Sequence, residues 1–250
     1  MSESVKPAER RGAARTSLVW EALLPVLEAV GTPLDVVDIG GGTGGFAVRV
    51  AGLGHRVTVV DPSPDALAAL DRRARELPVE VAGRQGDVSS LVDVVGAGSA
   101  DVVLCHGVLE VVDRPDVALA TIREVLRPGG TLSLLVAQRF AAVVARAMAG
   151  HFAQALTMLE PDAGRAAAGA PPGPGRSGRR FTEDEVRALL AGAGLEALAV
   201  HGIRVFADLV PGAVLDLEPG ASAALVELER AVVDRPELRP LATQLHVLAR

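Results

Sequence analysis

Tyrosine is absent from this 250-residue sequence, aromatic residues of all kinds make up only 2% of it, and Lys6 is its sole lysine. The shortage of aromatics removes the stacking platforms on which proteins hold single-stranded nucleic acid. The shortage of lysine, with a formal net charge of -6, excludes a protein that coats nucleic acid by bulk electrostatics; any RNA contact has to come from local arginine clusters. A single cysteine, Cys105, excludes an internal disulfide and fits a reducing compartment. The apolar run AAVVARAMAG is broken by Arg146 and too short to span a bilayer. The stretch MSESVKPAERRG carries charges where a signal peptide needs an apolar core, so the expected location is cytoplasmic, with no membrane partner.

What is present is a globular composition, 49% hydrophobic and 22% charged. Short apolar runs alternate with helical patterns. LDVVDI (34–39), RVTVVD (56–61), VEVAGRQGDV (79–88, strand and loop), DVVLCH (101–106) and TLSLLVA (131–137) read as strands. Residues 14–30, Gly44 to about Gly54, 64–76 (with Ser63 as N-cap) and 115–126 read as the helices between them. Such alternation predicts an α/β fold, a mostly parallel sheet with helices on both faces. Arg127-Pro128-Gly129-Gly130 reads as a helix stop followed by a tight turn, and residues 1–12 as a frayed polar arm.

The rhythm breaks after the fifth strand. Residues 139–160 form an Ala-rich helical insertion, and GAPPGPGRSGRR (169–180) is a turn-rich loop. A helix over 181–194 follows, opened by a Thr182/Glu185 capping box, then a strand over 195–206, a helix over 220–233 and a closing strand, QLHVLA, at 244–249. The expectation is one domain over 1–250: an N-terminal arm and helix (1–30), a ligand-binding core (31–137), an insertion and loop (138–180) and a part that completes the sheet (181–250).

In an open α/β sheet, ligands sit at the carboxyl ends of the strands. After the first strand, five glycines fall within residues 40–45 (GGGTGG). They fit G-x-G-x-x-G, the dinucleotide fingerprint, and equally D-x-G-x-G-x-G (Asp38, Gly40, Gly42, Gly44), the S-adenosylmethionine (SAM) loop; in either, the backbone passes close under a ligand. Asp38 separates the two, because a carboxylate there suits a cationic ligand and repels a pyrophosphate. Asp61 ends the second strand, where a carboxylate accepts ribose hydroxyls in SAM and dinucleotide sites alike. Gln85, Gly86 and Asp87 follow the third, offering an acceptor for an adenine amino group, with Gly86 allowing close approach. His106 ends the fourth, placed to donate to a carboxylate or to cover a ligand's sulfur. Cys105 points into the sheet core and carries no chemistry.

DIGGGTG, VVD, QGDV, DVVLCHGVLE and LRPGGTL, in that order, resemble the class I SAM-dependent methyltransferases. The resemblance implies strand order 3-2-1-4-5-7-6 with the seventh strand antiparallel, SAM as cofactor and S-adenosylhomocysteine (SAH) as product. From about residue 10 to residue 250 the chain also resembles the bacterial tRNA 5-carboxymethoxyuridine methyltransferases, which esterify the carboxylate of a modified wobble uridine. RRGAARTSLVW, SLLVAQ, AGHF (149–152), GIRVFADL, ALVELE and QLHVLAR carry that likeness. It implies SAM contacts at Arg15, Gly40, Gly41, Asp61, Gln85, Gly86 and His106, to which the residues above add Asp38, Gly42 and Asp87. Arg15 would pair with the SAM carboxylate. The sequence departs from the family in having GPGRSGRR where relatives have a lysine-rich stretch, and Ala137-Gln138 where they have Tyr-Asn.

A carboxylate acceptor is already ionised at pH 7 and needs no general base, and no metal is implied. It needs a cation to hold it in line with the methyl group, and Arg204, in GIRVF, is the candidate. Two acceptors stay open, a tRNA carboxylate and a small-molecule metabolite. A SAM-binding protein without catalysis would show an eroded glycine loop or a lost Asp61, and neither is seen; a dehydrogenase is disfavoured by Asp38.

Overall fold

In a computed structural model, the structure describes residues 7–29, 31–160, 178–211, 215 and 219–250, without the side chains of residues 7–16. Helix α1 (Pro7–Glu28) opens the chain. It begins earlier than its apolar periodicity predicts, at a proline, a residue suited to a helix's first turn. Its apolar spacing takes hold at Leu18 and Val19 and continues through Leu23 and Leu27, all buried.

The strands are β1 (Asp35–Ile39), β2 (Arg56–Asp61), β3 (Val81–Gln85), β4 (Ala100–His106), β5 (Leu126–Ala137), β6 (Ala197–Ile203) and β7 (Gln244–Ala249), in the sheet order β3-β2-β1-β4-β5-β7-β6. Pairings from β3 through β5 are parallel, with Asp38 beside Leu104 and Asp61 beside Gln85. Residues Glu196 and Arg250 exchange both backbone hydrogen bonds, and Thr243 donates to the Arg204 carbonyl. Reciprocal bonding at opposite ends of the two strands makes β7 antiparallel to β6. β1 and β4 are buried and rich in valine and leucine, as central parallel strands are. β3 is the exposed edge.

Helices α2 (Ala47–Gly52), α3 (Pro64–Glu76), α4 (Leu91–Val95) and α5 (Pro115–Val125) make the crossovers. α2 is shorter than the sequence predicts, since the glycine loop turns through residue 45 before regular helix begins. Ser63 caps α3 by accepting from the Ala66 N–H. The predicted turn at 127–130 is an excursion within β5: Ala100 pairs with Leu126 and Val102 with Thr131, so four residues are looped out opposite Asp101. Arg127 on that excursion donates to Asp101 (2.7 Å) and Asp35 (2.8 Å), tying the amino ends of β1, β4 and β5. The insertion consists of α6 (Arg139–Met148) and α7 (Phe152–Leu159), followed by α8 (Glu183–Gly192) and α9 (Ala221–Val232).

The chain divides into two compact units. One holds Met1–Ala22, Ala137–Glu183 and Val200–His246; the other holds Leu23–Val136, Asp184–Ala199 and Val247–Arg250. Among the described residues no helix is long and apolar enough to cross a membrane.

Within the second unit the sheet reverses its order between β1 and β4, and a site is expected at their carboxyl ends. Leu70 of α3, fully buried, supports that place from below: a Cβ at Gly44 would overlap it, and one at Gly83 would touch it at 3.5 Å. Leu70→Ala is expected to destabilise the protein by about 2–5 kcal/mol. In differential scanning calorimetry this reads as a melting point lower by roughly 5–15 °C.

Candidate functional site

Each strand that the sequence marks for chemistry ends on a residue of interest. Asp38 is the penultimate residue of β1, and Asp61, Gln85 and His106 are the last of β2, β3 and β4. Parallel pairing in register therefore brings them to one edge of the sheet.

Asp38 is 3% exposed, and among the described residues no cation and no hydrogen-bond donor meets its carboxylate. Burial, helped by the charge of Asp61, pushes its pKa up to about 7. The carboxylate lies directly under the glycine loop, where a Cβ on Gly41 would stand 2.5 Å from its Oδ2. Gly40 adopts φ +64°, and a Cβ there would meet Val108 at 2.9 Å.

Asp61 organises the same loop. Its Oδ2 accepts from the Gly42 N–H at 2.9 Å and its Oδ1 from the Ser63 N–H at 2.8 Å. Each oxygen keeps a lone pair, enough to accept from two neighbouring hydroxyls. Asp87 holds its own turn, its Oδ1 accepting from the Ser89 and Ser90 N–H groups. The Ser89 hydroxyl is the main cause of a carboxyl held below the usual range. His106 shares a hydrogen bond between its Nε2 and the Ser133 hydroxyl (2.9 Å) and meets the Phe46 ring edge-on at 4.9 Å.

Gly40, Asp61, Asp87 and His106 line one cavity of about 610 Å³, walled on its far side by the β4–α5 loop and the first turns of α5, Val111 and Val117 among them. That volume is within the roughly 300–1,000 Å³ of small-molecule sites. Asp38, beneath the glycine loop, and Gly41 and Gly42, within it, do not line the cavity. Gln85 is also outside it, its amide donating to the Pro62 carbonyl at 3.4 Å. A Cβ at Gly86 would meet Ser90 at 2.9 Å and Val94 at 3.1 Å, so the protein's own packing already requires a glycine there.

A larger concavity, about 870 Å³, opens at the amino ends of β1, β2 and β3. Arg56 and Asp35 in its lining are already paired with each other, and the pKa of Asp35 falls to about 2 chiefly through that hydrogen bond. It also lies at the wrong end of a parallel sheet for a ligand.

Two sequence candidates sit in the other unit. Arg15 falls within α1, and its side chain lies outside the described residues. Arg204, directly after β6, has φ +61° and an ion pair with Asp208. Gln138 caps α6 by accepting from the Ala141 N–H at 3.1 Å while its amide donates to the Pro240 carbonyl at 3.0 Å. The sequence reading missed Ser133, Phe46 and the β4–α5 wall, whose residue types carry no signal of their own.

The Asp38 environment sets a pH dependence. An acid whose folded pKa is raised contributes stability that is fully present below its unfolded value near 3.8 and is lost as pH rises through about 7. Ligand-free protein therefore weakens across that window. Asp38→Asn removes this dependence, and thermal melts at pH 8 should show the variant equal to or more stable than the parent; a less stable variant at pH 8 contradicts the assignment.

A family model described as "Methyltransferase domain" matches residues 37–134, the stretch that builds the cavity. The tRNA 5-carboxymethoxyuridine methyltransferase of Escherichia coli (strain K12) is 28% identical over 96% of this chain and 89% of its own length. A ubiquinone biosynthesis O-methyltransferase of Caulobacter sp. (strain K31) is 32% identical over 75% of this chain and 71% of its own. Among solved structures, the magnesium protoporphyrin IX methyltransferase of Synechocystis PCC 6803, with bound SAH, covers all of this chain and 89% of its own at 14% identity and a TM-score of 0.64, a likeness of fold. With this sheet order, and a relative at 32% identity over most of both lengths, the chain belongs to the class I SAM-dependent methyltransferases and takes its methyl group from SAM.

Proposed function

We propose that this methyltransferase esterifies a carboxylate, that of 5-carboxymethoxyuridine at the wobble position of tRNA. The observation that carries the reading is the reach of the likeness to the Escherichia coli tRNA enzyme. It extends over 96% of this chain, well past the methyltransferase domain match at 37–134.

The donor side follows from the buried carboxylates. SAM supplies an electrophilic methyl group on a sulfonium. Asp38, buried without a cation beside it, offers the charge that the ammonium and sulfonium end of the donor lacks. Asp61 takes the ribose hydroxyls with its remaining lone pairs, Asp87 and Gln85 stand toward the adenine, and His106 closes over the sulfur. Gly40, Gly41 and Gly42 shape the loop above Asp38, Gly86 lets the adenine-side turn pack, and Arg15 is assigned to the donor's carboxylate.

On the acceptor side, no residue has to remove a proton, because a carboxylate is ionised at neutral pH. Arg204 is assigned to hold it with one lone pair toward the methyl carbon. Two features of Arg204 support this. Its backbone is left-handed, a conformation that non-glycine residues hold at a cost. Its Nε is buried, and among the described residues it has no hydrogen-bond partner. An unmet guanidinium donor is stabilised by an arriving carboxylate.

A small-molecule acceptor is the second reading, favoured by the 32% identity to a ubiquinone biosynthesis O-methyltransferase and by the absence of tyrosine.

Arg204→Ala is expected to cut methyl transfer by about 100-fold while leaving SAH affinity, measured by calorimetry, nearly unchanged; equal collapse of both contradicts the assigned role. The acceptor is tested with labelled SAM and total tRNA from a strain lacking the gene. Label in a nucleoside that mild alkali removes is the expected result. An unlabelled tRNA pool transfers the assignment to a small molecule.

A further inference from the structure

Glu229 lies on α9, 1% exposed, and among the described residues no cation faces it. Its carboxylate accepts three consecutive backbone N–H groups from a distant loop: Val205 on Oε2 at 2.9 Å, and Phe206 and Ala207 on Oε1 at 2.8 and 2.7 Å. The Leu209 and Val210 N–H groups return to the Phe206 carbonyl, so these residues form a helical turn. Glu229 thus fills, from another helix, the place of an N-cap.

Arg204 is the residue immediately before this turn. Its carbonyl accepts from the Thr243 N–H, which fixes it to the start of β7. One step later the Glu229 tether begins. The left-handed φ at Arg204 is therefore set from both sides, by β-pairing before it and by the buried carboxylate after it. Its guanidinium pairs with Asp208, a residue of the tethered turn itself. Val205, Val232 of α9 and Ala242 pack into one buried cluster, with Phe206 against it, so the turn and α9 move as one piece.

Burying an unpaired carboxylate to cap a turn is a costly way to do what an exposed Ser or Asn does. What a rigid tether adds is a fixed position for the residue at its start. We propose that Glu229 is a positioning residue for the methyl acceptor, holding the backbone of 205–207 so that Arg204 keeps its left-handed conformation and its guanidinium stays beside Asp208. This rests on the reading of Arg204 as the acceptor's cation. Glu229 touches no substrate; it sets the fraction of molecules in which Arg204 is correctly placed, and that fraction divides the apparent acceptor affinity.

The test compares Glu229→Gln, Arg204→Ala and the parent in the full-length chain. Three readouts are used: amide exchange of the peptide spanning 202–209, SAH affinity by calorimetry, and transfer from labelled SAM to total tRNA of a strain lacking the gene. Gln keeps the Oε1 acceptor and replaces Oε2 with a donor that opposes the Val205 N–H. The expected result is exchange at 205–207 faster by about ten-fold, SAH affinity within about two-fold of the parent, and a KM for tRNA raised about ten-fold with kcat changed less than about three-fold.

If Arg204→Ala lowers transfer but Glu229→Gln, with accelerated exchange, leaves KM unchanged, the positioning role is overturned while the Arg204 reading stands. If Arg204→Ala leaves transfer intact, or the parent methylates no tRNA, the underlying reading fails and this proposal with it. Should Glu229→Gln lose its cooperative melt, Glu229→Asp, which keeps the charge and shortens its reach, serves the same comparison with the same expected direction.

Discussion

A carboxylate buried without a counter-ion is the constraint around which the donor site is arranged. Moving Asp38 from a pKa near 3.8 to about 7 corresponds to roughly 4 kcal/mol of penalty on its ionised form. Nothing in the described core offsets that penalty, and Asp61 adds to it. A cationic ligand offsets it, and a pyrophosphate makes it worse. On the assignment proposed for Asp38, the discrimination between a sulfonium donor and a dinucleotide rests on one charge in one low-dielectric place.

The neighbouring residues follow from that charge. Gly41 has no side chain because the Asp38 carboxylate occupies the space a Cβ would need. Asp61 accepts from the Gly42 N–H, which draws the loop over the buried group, and from the Ser63 N–H, leaving one lone pair on each oxygen for hydroxyls. Leu70 fills the volume beneath, in contact distance of any Cβ at Gly83. The loop's shape follows from the protein's own packing, and the buried charge beneath it is the part assigned to the ligand.

The strand-end residues were readable because parallel strands of similar length bring their last positions to one edge whatever the helices do; Asp61, Gln85 and His106 each close such a run and Asp38 stands one residue before the end of its own. The packing demand at Gly86 was not readable: that a side chain there would meet Ser90 and Val94 depends on the folded turn, not on the local sequence. The excursion at 127–130 was half visible. Its turn residues were plain, but its position inside β5 depends on pairing with Ala100 and Val102, far away along the chain. Glu229 was invisible for a stronger reason. In ALVELE it reads as one more charge on an amphipathic helix, and the three N–H groups it accepts lie more than twenty residues upstream. Buried polar tethers between distant segments leave no local pattern; only the folded backbone reveals them.

The central claim, that the Asp38 charge receives the donor's cation, is tested most directly by the proton balance of binding. SAM is titrated into the protein at pH 6.5 by calorimetry in buffers of different ionisation enthalpy. Because a bound cation favours the ionised carboxylate and lowers its pKa, binding is predicted to release up to one proton per SAM, and Asp38→Asn to abolish the release. Binding of SAM with no proton released from the parent protein, or with the same release from Asp38→Asn, would contradict the account.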